Sequence, residues 1–285
     1  MHRTSFTLFG VGTLLSMAMV AYAQELPAPE TPASPAELSQ EELDWEARIA
    51  RTDGFRISML QTIRGMELFH AFVEKNRNEV MANRKKCRED LRKANRDTKF
   101  ATTVRCFGKE LQLGKELAEK KQQFAESISG VDELRRAEVL QVTGELLEAM
   151  DAVSTGISRD VFRDEDELLE AKKNLHKTYG IPVLLSFSRL EADRTRTWVA
   201  HIMVRLLITT QNTEMGPEAF EKASEALGCY EEAESYLEAV LASERYENAV
   251  FAANQSRSHL ADCGDLLEAT HALQREFEQM TPTEE

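Results

Sequence analysis

Apolar residues recur at i, i+3 and i+4 over long stretches of the chain, and strand-type alternation is nowhere sustained. The spacing predicts helices at about 35–51, 54–94, 99–128, 131–154, 159–177, 182–212, 217–243 and 247–279. Breakers mark most of these ends: Thr52-Asp53-Gly54, the polar turn Asn95–Thr98, Ser129-Gly130-Val131-Asp132 with Ser129 as a cap, Gly156, Gly180-Ile181-Pro182 and Gly216-Pro217. The stop near Arg245 has neither Gly nor Pro, so one uninterrupted helix there stays open as the alternative.

The 182–212 segment is apolar on most faces around Val183 to Leu190, and again at Trp198, Ile202, Leu206 and Leu207. It is the expected central helix. The other helices are amphipathic and charged, as in packed hairpins. The expected fold is all-α: an elongated multi-helix bundle of antiparallel helical hairpins, coiled-coil-like and clamped by disulfides. Residues 36–285 form the bundle domain, with a subdivision near 180 into 36–179 and 180–285.

The N-terminus has a different pattern. Arg3 precedes an apolar run from Phe6 to Val20, and Ala21-Tyr22-Ala23 follows as an A-x-A cleavage signal. This layout predicts a secretory signal peptide over 1–23, with Gln24 as the new N-terminus. Residues 24–35 hold four of the seven prolines and read as a flexible, Pro-rich spacer ending in a Ser34-Pro35 helix start. No later stretch reaches the roughly 18 apolar residues of a membrane span, so none is expected after cleavage. The destination is periplasmic or extracellular, including the cell surface.

Export changes the reading of the cysteines. Cys87, Cys106, Cys229 and Cys263 are an even set, and in an oxidising compartment they imply two disulfides with three connectivities open. Cys87 and Cys106 lie nearly equidistant from the Arg96-Asp97 turn, and residues so placed face each other across an antiparallel hairpin. Cys229 and Cys263 bracket the turn near Arg245 in the same way. This symmetry favours Cys87–Cys106 and Cys229–Cys263. No C-x-x-C is present to support a zinc or thioredoxin-type reading.

Charge is segregated. The chain carries −14 in all, an excess that argues against nucleic acid as a partner. Yet Lys75 to Arg105 holds eleven basic residues against four acidic ones, for a local charge of +7. Beyond Arg84 the apolar stripe narrows to Cys87, Leu91 and Ala94, with Phe100 and Val104 returning on the next helix. A helix with so narrow a seam is expected at the surface, as a projecting hairpin tip. Arg84, Lys85, Lys86, Arg88, Arg92, Lys93 and Arg96 are its candidate contacts with an anionic partner. A solvated hairpin end, or pairing with the acidic 214–247 stretch, is the plainer explanation of the same charges.

Catalytic and metal motifs are thin. Glu67…His70 and Glu268…His271 have the Glu-x-x-His spacing of di-iron bundles, but at 100° per residue their side chains do not converge. The last helix centres its apolar face on Leu266, Thr270, Leu273 and Phe277, which puts Glu268 on the far side. Neither a metal site nor a cofactor is expected, and no nucleophile motif supports an enzyme. The expected function is therefore an exported, non-enzymatic interaction or scaffold protein that contacts an unidentified protein or anionic surface through its basic tip. The alternative is a small-molecule-binding or sensory bundle with a pocket at Trp198, His201 and Arg205.

Overall fold

The computed structural model of the chain describes residues 68–211 and 215–280. The signal segment 1–23, the spacer 24–35, the helix at 35–51 and the start of the next lie outside the described residues. The described chain is helical, and no strand occurs in it. Its helices are α1 (68–93), α2 (Arg96–Ser127), α3 (Glu133–Ser158), α4 (Glu165–Asn174), α5 (Ile181–Thr210), α6 (Pro217–Ala242) and α7 (Tyr246–Met280). None of them is long and apolar enough to cross a membrane. The chain divides into two compact units, with residues 68–128 and 132–190 in the first and 129–131, 191–211 and 215–280 in the second.

In the first unit α1 and α2 run antiparallel. The Nδ2 of buried Asn76 donates to the Leu113 carbonyl at 2.8 Å, and the disulfide Cys87–Cys106 joins the pair nearer the turn. Helix α3 returns antiparallel to α2, with Lys115 Nζ 2.6 Å from Asp151 and Arg136 Nη1 donating to the Ala125 carbonyl at 2.8 Å. Helix α4 then runs parallel to α2, giving an up-down-up-down bundle. Phe69, Phe124 and Phe187 make one core layer, the first two stacked with centroids 4.4 Å apart. Phe107, Leu111, Leu168 and Leu175 make another, nearer the α1–α2 turn. Each such side chain contributes about 1.5–3 kcal/mol by leaving water.

Several element ends differ from expectation for local reasons. The α1–α2 turn closes early because Asn95 caps α2, its side chain accepting from the Thr98 backbone N–H at 2.9 Å. The α3 cap is Asp132 rather than Ser129, since Gly130 takes φ 75° and the Asp132 carboxylate accepts from the Leu134 and Arg135 N–H groups. Gly156 does not stop α3. A Cβ there would lie 3.1 Å from the Phe162 ring, so the glycine makes room for that ring, and the reversal occurs at Asp160, with φ 51°.

Gly180-Ile181-Pro182 does not break the rod either. Pro182 has no N–H and its ring crowds the carbonyl four residues back. The chain widens to a π-helical turn over Leu175–Gly180, with the Ile181 N–H reaching the His176 carbonyl, and continues into α5.

In the second unit α6 and α7 form an antiparallel hairpin, and the break at Ser243–Arg245 that separates them has a physical basis in the α6 C-cap at Ser243. Ala219, Ala223, Ala226, Tyr230, Ala233, Leu237 and Val240 are buried in alternating steps of four and three residues, the rhythm of a coiled-coil seam. The facing stripe is Ala249, Ala252, Ser256, Leu260, Cys263, Leu267 and Thr270, so Leu266 and Leu273 flank the buried face of α7 instead of centring it. The small residues among them leave room for Tyr230 and the leucines between the two helices. Val199, Ile202 and Leu206 bury the second half of α5, as its apolar pattern implied. At the start of α6 the buried Gly216 packs under Phe277 and its N–H donates to Gln274 Oε1 at 3.1 Å.

Candidate functional site

The candidate contacts from Arg84 to Arg96 occupy the last turns of α1 and the first residue of α2. Cys87 and Cys106 hold these two ends together with their Cα atoms 5.8 Å apart. Asn83 supports the same level by donating from Nδ2 to the Cys106 carbonyl at 3.4 Å. Arg92 and Lys93 lie in the final turn of α1, where the helix dipole favours cations, and Asp97 lies in the first turn of α2, where it favours an anion.

The end of this hairpin is not a free prong. The opposite side of α2 is covered by α3 and α4: Lys99 Nζ is 3.2 Å from Glu165, Thr103 donates to Glu165 at 3.4 Å, and Val104 packs on the Phe107 layer. The narrow seam of α1 did indicate a surface helix. It carried no information about α2, whose own apolar residues Val104, Phe107 and Leu111 call for cover. The basic face is thus a ridge on a braced bundle.

The cations of this ridge fall into two groups. Arg84 pairs with Glu110, Arg105 with Asp90 at 3.0 Å, and Lys99 with Glu165. The Glu110 carboxylate is partly buried, which raises its pKa, but Lys172 at 2.6 Å and Arg84 outweigh that and hold it below its ordinary range. The second group is Lys85, Lys86, Arg88, Arg92, Lys93 and Arg96. All six are exposed, and among the described residues none has an acidic partner. Glu89 and Asp97 are the local acids left over once Asp90 is engaged.

The residues of the expected pocket lie in the second unit. Trp198 meets Tyr230 edge-on at 6.3 Å, His201 is buried, and His201 and Arg205 are each engaged by other groups. Nearby on α5, burial pushes the Arg194 guanidinium down to about 10 while Glu191 pulls it back up. Glu191 acts in the same sense on Arg257, which burial also lowers, and adds to the burial that raises Tyr246. Of the two Glu-x-x-His sets, Glu67 lies outside the described residues, His70 is buried in the first unit, and Glu268 is exposed in the second.

The second disulfide, Cys229–Cys263, clamps α6 to α7 with Cα atoms 5.5 Å apart. The structure brings a histidine to it: ligand atoms of Cys229, His259 and Cys263 all lie within 4.8 Å of one another. His259 Nε2 is 3.1 Å from Glu232, at ion-pair distance without hydrogen-bond alignment, and its ring meets Tyr236 edge-on at 5.6 Å. His259 belongs to no motif in the sequence. Its i, i+4 spacing to Cys263 is the available signal, since that spacing puts two side chains on one helix face.

Comparison of the chain with protein-family models, with curated proteins and with solved structures finds no match.

Proposed function

We propose that this chain is an exported, non-enzymatic binding protein that docks on an anionic surface partner through the ridge formed by Lys85, Lys86, Arg88, Arg92, Lys93 and Arg96. One observation carries this reading: six exposed cations without acidic partners among the described residues share one disulfide-held hairpin end in a chain of net charge −14. Lys115, Lys172 and Arg189, by contrast, have carboxylates beside them. Cations left without counter-charges lose little on meeting an external anion, because no internal pair must be broken. Each contributes about 1 kcal/mol near an anionic surface at physiological salt.

Export is supported by the Arg3, Phe6–Val20 and Ala21-Tyr22-Ala23 layout and is consistent with both cysteine pairs being disulfides. N-terminal sequencing of the exported chain should begin at Gln24.

The test is charge reversal. Lys85→Glu, Arg88→Glu, Arg92→Glu and Lys93→Glu together should abolish co-sedimentation with phosphatidylglycerol vesicles and retention on heparin, with far-UV circular dichroism unchanged. Undiminished binding to both polyanions by the folded variant contradicts the reading.

A further inference from the structure

We propose that the Cys229–Cys263 disulfide masks a metal site: once reduced, these cysteines, with His259 and Glu232, bind a thiophilic divalent cation of the zinc class. The inference is independent of the basic ridge, which belongs to the other unit.

The ligand set is placed by helix spacing. Cys229 and Glu232 stand at i and i+3 on α6, while His259 and Cys263 stand at i and i+4 on α7. Each pair lies on one helix face, and the disulfide shows that these faces meet. The histidine and both sulfurs already fall within 4.8 Å, and the Glu232 carboxylate touches the histidine ring at 3.1 Å. A tetrahedral zinc shell needs ligand atoms roughly 3.3–3.8 Å apart, as follows from bonds of about 2.0–2.3 Å. The bonded sulfurs are too close for that, and a disulfide offers no thiolate. Breaking the S–S bond lets the two sulfurs separate by side-chain rotation, with the helix backbones in place.

Access fits the same reading. Cys263 is fully buried, whereas the His259 side chain is 26% exposed and Glu232 58% exposed. The rim of the site on the side of His259 and Glu232 therefore lies at the surface. Glu232 can swing in to complete the shell, and Tyr236 backs the imidazole.

The chemistry balances with a dithiol reductant. Its two thiols transfer two electrons and two protons to the disulfide and close into a disulfide themselves, leaving Cys229 and Cys263 as thiols. The cation then displaces two protons and binds two thiolates. The α6–α7 hairpin keeps a cross-link in both states, covalent when oxidised and coordinate when reduced.

Cobalt(II) tests this directly, because thiolate ligation gives a charge-transfer band and a tetrahedral site gives intense visible bands. The full chain, reduced with a phosphine and titrated anaerobically, should show both bands at one cobalt per chain. Zinc should bleach them, and the oxidised chain should show neither. His259→Ala and Glu232→Gln should each weaken binding by about tenfold or more and shift the visible bands. Cys87→Ala/Cys106→Ala should leave the bands intact. Helicity is followed in parallel, and if reduction alone lowers it, cobalt should restore it. Absence of the thiolate band in the reduced chain, or a band indifferent to His259→Ala, overturns the proposal.

Discussion

Lys172 Nζ lies 2.6 Å from Glu110, and that single carboxylate also receives Arg84, so one side chain of α2 ties α4 to α1. These cations hold the carboxyl below its ordinary range despite its partial burial. A lowered folded-state pKa stabilises the protein above the unfolded-state pKa, and the contribution is lost as pH falls through the folded value. Glu110→Gln should cost about 1 kcal/mol at neutral pH, since the site is partly screened by solvent. The gap to the wild type should close in acid, below the ordinary carboxylate range. Urea titrations at both pH values check this.

The disulfides should contribute unequally. On the chain-entropy model, separations of 19 and 34 residues correspond to about 3 kcal/mol for Cys87–Cys106 and about 4 kcal/mol for Cys229–Cys263. Replacing each pair by alanine and measuring thermal unfolding should give a larger loss for the second. The metal-free state is the proper comparison for that pair.

Gly216 is required by a close approach, not by its backbone angle. Its φ of −63° is open to any residue, but a Cβ would fall 2.7 Å from the Phe277 ring. Gly216→Ala should cost about 1–3 kcal/mol. In the Phe277→Ala background the same change should cost much less, and a double-mutant cycle by denaturant unfolding measures the difference.

Glu191 is a shared counter-charge for the buried Arg194 and the half-buried Arg257. Glu191→Gln should destabilise the protein by about 1–3 kcal/mol, more than a surface acid such as Glu268 changed to Gln. Chemical denaturation of the two variants makes the comparison.

Antiparallel geometry explains why the cysteine pairing could be read from sequence. Residues facing each other across a hairpin have nearly constant summed numbers, so Cys87 with Cys106 and Cys229 with Cys263 follow once the turns are located. The apolar run Val183–Leu190 announced a buried helix for the same kind of reason, since few of its faces tolerate water. Other features depend on contacts that no local pattern carries. Pro182 looked like a stop because its rescue is a widened turn upstream. Gly156 looked like a terminator because its neighbour Phe162 arrives after the reversal. The buried stripe of α6 holds four alanines among its seven residues, and their weak apolar signal hides its regular rhythm. His259 forms no local motif with its partners Cys229 and Glu232, because they stand on the opposite helix.

Lysine-reactive footprinting tests docking through the six exposed cations of the first unit at the residues themselves. The chain is labelled with and without phosphatidylglycerol vesicles, and modification is mapped by mass spectrometry. Lys85, Lys86 and Lys93 should be protected strongly, while Lys115 and Lys222, which stand beside Asp151 and Glu225, should label equally in both samples. Equal labelling of Lys85, Lys86 and Lys93 while the protein is vesicle-bound would rule out docking through the ridge.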